Sequence, residues 1–166
     1  MNLAETLVMD YEYESVNTRK MLEIAPADRF DWKPHEKSKS VGMLASHLAE
    51  TPTWISSMME DEMDFGAMED YQPFLAKDPD ELLTAFDKNL ADGLDFIRDK
   101  VDAFLSRTWT MKMGDKILMQ QPKHGVIKAI CIHHTIHHRG QLSVYLRMLD
   151  VPLPSIYGPT ADNPSF

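Results

Sequence analysis

Cysteine is almost missing from this chain of 166 residues, and basic clusters and long apolar runs are missing altogether. A single cysteine excludes an internal disulfide and a cysteine-based zinc ribbon, and it fits a reducing compartment. Lysine and arginine together number 17 against 26 acidic residues, a formal net charge of -9. Nucleic acid is therefore not an expected partner, because phosphate binding rests on clustered cations. No apolar stretch approaches the ~20 residues that cross a bilayer, so no membrane association is expected. The N-terminal MNLAETLVMDYEYE is acidic and lacks the basic start and apolar run of a signal peptide, which points to a cytoplasmic protein. What remains is an ordinary globular composition, 43% apolar and 26% charged. Its length suits a single domain over residues 1–166.

What stands out is histidine. Four of the seven in the chain fall within the stretch CIHHTIHHRGQLSVYLRML, Cys131 to Leu149. At about 100° per residue, Ile127, Cys131, His134, His138, Leu142, Tyr145 and Leu149 share one helical stripe. His134 and His138 then occupy positions where a core helix would carry leucine. A buried imidazole must find a partner, and two of them one turn apart can chelate a divalent cation from a single helix face. The competing account is a pair of core histidines bonded to neighbouring helices. His133 and His137 form a second i, i+4 pair, rotated to the flank, where roles behind the ligands or at an interface fit better.

The rest of the pattern predicts helices. Leu3 to Ile24 reads as the first, stopped by Pro26. Ala27 to Ser40 reads as an ordered loop in which Trp32 folds back onto the protein. Ser40 is a suitable cap for a second helix running to about Met58, with Pro52 kinking or splitting it. His47, Glu50 and Trp54 share one face of that helix. A third helix starts at Pro79 and runs to about Leu105, and TWTMKMGDKILMQQ reads as a β-hairpin around Gly114-Asp115. Pro122 opens the last helix. The expected fold is all-α, a four-helix bundle with a short β-hairpin before the last helix.

Bundles bind metals through side chains that point inward from facing helices, so His47, His134 and His138 make a three-nitrogen set that leaves a coordination position open. With ordinary imidazole pKa values of about 6.5, metal affinity should fall below that pH. Glu50 is a candidate general base or a partner of His47, although a solvated helix carboxylate accounts for it equally well. Gln141 is a candidate for hydrogen bonding to a ligand or substrate. Cys131 reads as a small core residue, and Arg139 as a structural salt bridge pointing away from the stripe. Ile132, Ile136 and Val144 lie outside the stripe and point to a homodimer.

The segment HTIHHRGQL from His134 to Leu142, with SVGMLASHLAE around His47 and VPLPSIYGPTAD in the tail, resembles the DinB/YfiT-like family. That family is distinct from the translesion polymerase of similar name. The resemblance covers nearly the whole chain. It implies a four-helix bundle, often dimeric, with a divalent metal, usually zinc or nickel, held by the residues that match His47, His134 and His138. Some members are thiol-dependent transferases or isomerases that use bacillithiol, mycothiol or glutathione. The implied activity is a thiol S-transferase type acting on a small-molecule electrophile, with a low-molecular-weight thiol as cosubstrate. A metal-assisted hydrolase and a non-enzymatic metal-binding stress-response protein are the alternatives. No residue in the chain selects the thiol.

Overall fold

Three of the helices begin where the first turn has a side chain to satisfy it. In the computed structural model, which describes residues 1–68 and 71–164, α1 spans Leu3–Glu23. Asn2 accepts the Glu5 N–H while the Glu5 carboxylate accepts the Asn2 N–H, a reciprocal cap. Helix α2, Val41–Glu50, starts on the Ser40 hydroxyl, which accepts from Met43 N–H at 3.2 Å. Helix α3, Pro79–Arg98, starts on Asp78, with Pro79, Asp80 and Glu81 in its first turn. It stops short of the expected end, and a separate turn, α4, covers Asp102–Leu105.

Pro52 divides the second helix. It has no N–H to give Leu48 and its ring crowds the preceding turn, so beyond Glu50 the chain tightens into a 3-10 segment, Thr51–Met59. Side chains then take up carbonyls around the break. Thr51 Oγ1 donates to the His47 carbonyl at 2.8 Å, and Asn89 Nδ2 on α3 donates to the Ala49 carbonyl at 2.9 Å. Helix α3 crosses this segment closely at Gly93, where an added Cβ would lie 2.9 Å from Ile55 Cδ1 and 3.1 Å from the Pro52 oxygen. Only glycine fits there without a shift.

The molecule is mostly helical, but the expectation of an all-α bundle with one hairpin needs correction: there is a three-stranded sheet. Strand β2 (Thr108–Met113) and strand β3 (Lys116–Pro122) form the expected antiparallel hairpin, turning at Gly114 with φ +57. Strand β1, Glu62–Asp64, pairs in parallel with β2 and gives the order β1-β2-β3. Three residues are too few for an alternation signal, so β1 left no mark in the sequence pattern. Fully buried Lys123 ties the 3-10 segment to the last helix. Its ammonium donates to the carbonyls of Met58 and Glu60 at 2.6 and 2.8 Å and pairs with Asp61 at 2.9 Å.

The last helix is continuous from Lys123 to Met148 but not uniform. It opens as α5 (Lys123–Val126), widens into a π-helical turn (Ile127–His133) and closes as α6 (His134–Met148). In the π turn each residue advances the helix by less than in an α-helix. The buried line accordingly runs Ile127, Cys131, Thr135, Arg139, Leu142, Leu146, stepping by fours through and just beyond the turn. The stripe read from a uniform helical period is off by one residue at His134, His138 and Tyr145, while Leu142 keeps its place. His134 and His138 lie on its shoulder, half-buried, and Arg139 turns inward. Ile132 is buried, Ile136 is partly covered, and Val144 is 57% exposed.

Arg139 is 3% exposed and does form the expected salt bridge, with Glu14 on α1 at 2.6 Å. Its guanidinium also donates to the Glu14 carbonyl and to Thr18 Oγ1. Tyr157 from the tail donates its hydroxyl to the same Glu14 carboxylate at 2.5 Å and contacts Arg139. The tail is thereby fastened to the helices behind His138. Trp32 folds back as expected, edge-on to Tyr145 with ring centroids 5.9 Å apart.

Candidate metal centre

Three imidazoles meet where the end of α2 faces the start of α6. The ligand atoms of His47, His134 and His138 all lie within 4.8 Å of one another, an arrangement that can hold a metal ion. His47 Nε2 and His134 Nε2 are 2.9 Å apart, one donating to the other. Zinc–nitrogen bonds of about 2.05 Å at tetrahedral angles put neighbouring ligand nitrogens about 3.3 Å apart. The His47–His134 pair, at 2.9 Å, is slightly inside that spacing.

His138 is already aimed. Its Nδ1 lies 2.7 Å from Gln141 Oε1, an acceptor, so Nδ1 carries the proton and Nε2 keeps a free lone pair. The rings of His134 and His138 are 4.3 Å apart, and His47 lies 4.8 Å from His138. Trp54, one face further along from His47, packs its indole 5.3 Å from His47 and 5.5 Å from His134.

The electrostatics keep these rings neutral. Burial, then the charges that His138 and His134 would carry, lower His47 to about 4. Burial, then His138 and His137, lower His134 to about 4. His138 is also lowered, mainly by burial, although its bond to Gln141 opposes the shift. Lys39, exposed on the loop before α2, pushes all three the same way. Neutral imidazole is the form that ligates. The threshold of proton competition thus lies well below the 6.5 of a free histidine.

The neighbouring candidates divide. Glu50 is 8% exposed; one carboxylate oxygen accepts the Phe74 N–H at 3.2 Å, and the other is buried with no hydrogen-bond partner among the described residues. Tyr71 stands beside this carboxylate, and burial together with Glu50 pushes its phenol up to about 12. Glu50 is outside the converging set of nitrogens. Cys131 is fully buried, and burial pushes its thiol up to about 12, so it stays a protonated core residue. His133 and His137 are exposed and outside the cluster, although the His137 ring comes within 5.0 Å of His138. Lys39 and Tyr71 have no sequence signal: each lies in an irregular stretch, and only the fold brings it to the histidines.

Comparison with known proteins agrees with the fold. The chain is 34% identical over 53 residues to the uncharacterized protein YrdA of Bacillus subtilis, a match spanning 32% of each chain. In three dimensions it is similar to a DinB-like protein from Bacillus cereus, with TM-score 0.71 and 19% identity, covering 92% of this chain and 97% of that one. A DinB-like protein from Bacillus subtilis follows at TM-score 0.70 and 19% identity, covering 91% and 97%. At such identities the likeness is one of fold. The model of the DinB family matches residues 2–164, and the chain belongs to that family.

Proposed function

We propose that this protein is a divalent-metal enzyme of the thiol S-transferase type, with His47, His134 and His138 as the metal ligands. The observation that carries the reading is the convergence of three neutral ring nitrogens at a half-buried edge of the fold. Three protein ligands leave a position open, as catalytic sites require and closed structural sites do not. A zinc or nickel ion there would supply Lewis acidity, favouring the thiolate form of a bound low-molecular-weight thiol.

The chain's own groups do the rest. Gln141 holds the His138 proton on Nδ1, which leaves Nε2 as the nitrogen that would hold an ion. Glu50, a buried carboxylate beside Tyr71, is suited to take the proton released when a thiol binds. Trp54 packs against two of the ligating rings and limits their motion. Among the described residues no helix is long and apolar enough to cross a membrane. We include a homodimer in the reading: Met9, Tyr13 and Val16 recur at helical spacing on α1 and are each more than half exposed. Light scattering should return twice the chain mass.

The direct test is a steady-state assay of metal-loaded protein with bacillithiol, mycothiol or glutathione and monochlorobimane as electrophile. Thiol-dependent conjugation that disappears with a chelator is the expected result. Chelator-sensitive hydrolysis of ester or amide substrates without any thiol would instead assign a hydrolase with Glu50 as base. Stoichiometric metal without turnover of any kind would leave a metal-binding protein and overturn the enzymatic reading.

A further inference from the structure

A cavity of about 410 Å³ lies between the 3-10 segment, the sheet and the π-helical turn. Its walls are soft and polarizable, chiefly Met58, Met63, Met68 and Met111 with Trp54 and Trp109. None of the described residues that line it carries a charge. The hydroxyls of Thr53, Ser56 and Ser57 are already committed. Thr53 donates to the Glu50 carbonyl at 2.8 Å, Ser56 to the Thr53 carbonyl at 2.8 Å, and Ser57 to the Trp54 carbonyl at 2.6 Å. The Trp109 indole N–H donates to the Ser57 carbonyl at 3.2 Å. A charged ligand would lose its hydration here and find almost nothing in return. An uncharged flat ring would meet methionine sulfur and aromatic faces, both favourable contacts. The volume falls within the range of small-molecule sites.

The cavity and the histidines share a residue. Trp54 lines the former, and its ring is 5.3 Å from His47 and 5.5 Å from His134. Tyr71 likewise lines the cavity and stands against Glu50. A molecule seated among the methionines therefore lies one side chain away from the candidate ligands.

We propose that this cavity binds the uncharged aromatic part of the electrophile on which the three-histidine site acts, with Trp54 as the shared wall. Calling the occupant a substrate rests on the reading of the metal centre given above; the cavity's selectivity for uncharged aromatic molecules does not.

The probe is N-phenyl-1-naphthylamine, uncharged and fluorescent when it leaves water, titrated into the full chain. It should saturate at one molecule per chain, and monochlorobimane should displace it. Met111→Trp fills the cavity and should weaken binding at least about tenfold. Phe65→Asp places a carboxylate on the lining from a position that is 46% exposed, where folding should tolerate it, and should weaken binding similarly. Thermal melts establish that both variants are folded. His134→Ala should lose metal while keeping probe affinity within about threefold of wild type. If the probe does not saturate, or binds both folded cavity variants as tightly as wild type, the cavity site is overturned. Saturation without displacement by monochlorobimane overturns its assignment to the electrophile. Metal retained by His134→Ala would count against the metal centre and leave the cavity standing.

Discussion

Gln141 Oε1 lies 2.7 Å from His138 Nδ1, three residues back along the same helix. This bond fixes which nitrogen of His138 is free, and it does so before any ion arrives. Outer partners of this kind are worth about 10–100-fold in metal affinity. Gln141→Ala should weaken zinc binding by about that factor without unfolding the protein. Gln141→Glu, which keeps the acceptor, should restore most of the affinity. Competition titration with a chromogenic chelator reads both. Equal affinity in Gln141→Ala and wild type would remove the positioning role.

His134→Ala or His138→Ala should abolish stoichiometric metal binding, and His133→Ala should not. His133 is exposed and outside the converging set, whereas His134 Nε2 is 2.9 Å from His47 Nε2. His47→Ala should weaken binding and leave a two-histidine remnant on α6. Metal content after dialysis measures all four. Metal lost from His133→Ala and kept in His134→Ala would invert the assignment.

The three-histidine cluster was legible in the sequence even though the helical phase was not. His134 and His138 are separated by one turn whichever way the helix faces, and His47 is on a helix the caps and periodicity define well. The orientation failed because the π turn at Ile127–His133 slows the rotation, and nothing in IKAICIH announces a π turn. Its consequence is functional: the histidines move from the interior to a half-buried shoulder, and Arg139 takes the inward position instead. The Pro52 break and the Gly114 hairpin could be read because proline and glycine act locally. Strand β1, Tyr71 and Lys39 could not be read, since each depends on partners distant in sequence.

Arg139 and Glu14 form a nearly closed pair that also holds the tail through Tyr157. Truncating one partner of a buried pair strands the other charge. Glu14→Ala should therefore cost about 3–5 kcal/mol of stability. Tyr157→Phe removes two hydrogen bonds to charged groups, one from Arg139 and one to Glu14, and should cost at least about 1.5–3 kcal/mol. Urea unfolding at neutral pH measures both. A Glu14→Ala protein as stable as wild type would mean that water replaces the lost contacts.

The last prediction concerns pH. His47 and His134 sit at about 4 in the folded protein, and His138 is lowered as well. In the unfolded chain these imidazoles return to about 6.5. As pH falls below that value the unfolded state takes up protons first, so folding loses support. The contribution is fully present above about 6.5 and is lost as pH falls through about 4, where the native rings protonate too. Chelator-treated wild type should therefore lose more melting temperature between about pH 7.5 and 4.5 than the double variant His47→Gln/His134→Gln. Metal binding follows the same shift. Because the folded rings remain neutral at about pH 5.5, a chelator should still lower the melting temperature of metal-loaded protein there, and lose that effect only near pH 4. A chelator effect that vanishes by about pH 6 would mean that the histidines titrate as free imidazoles, and that burial and mutual repulsion do not hold them neutral.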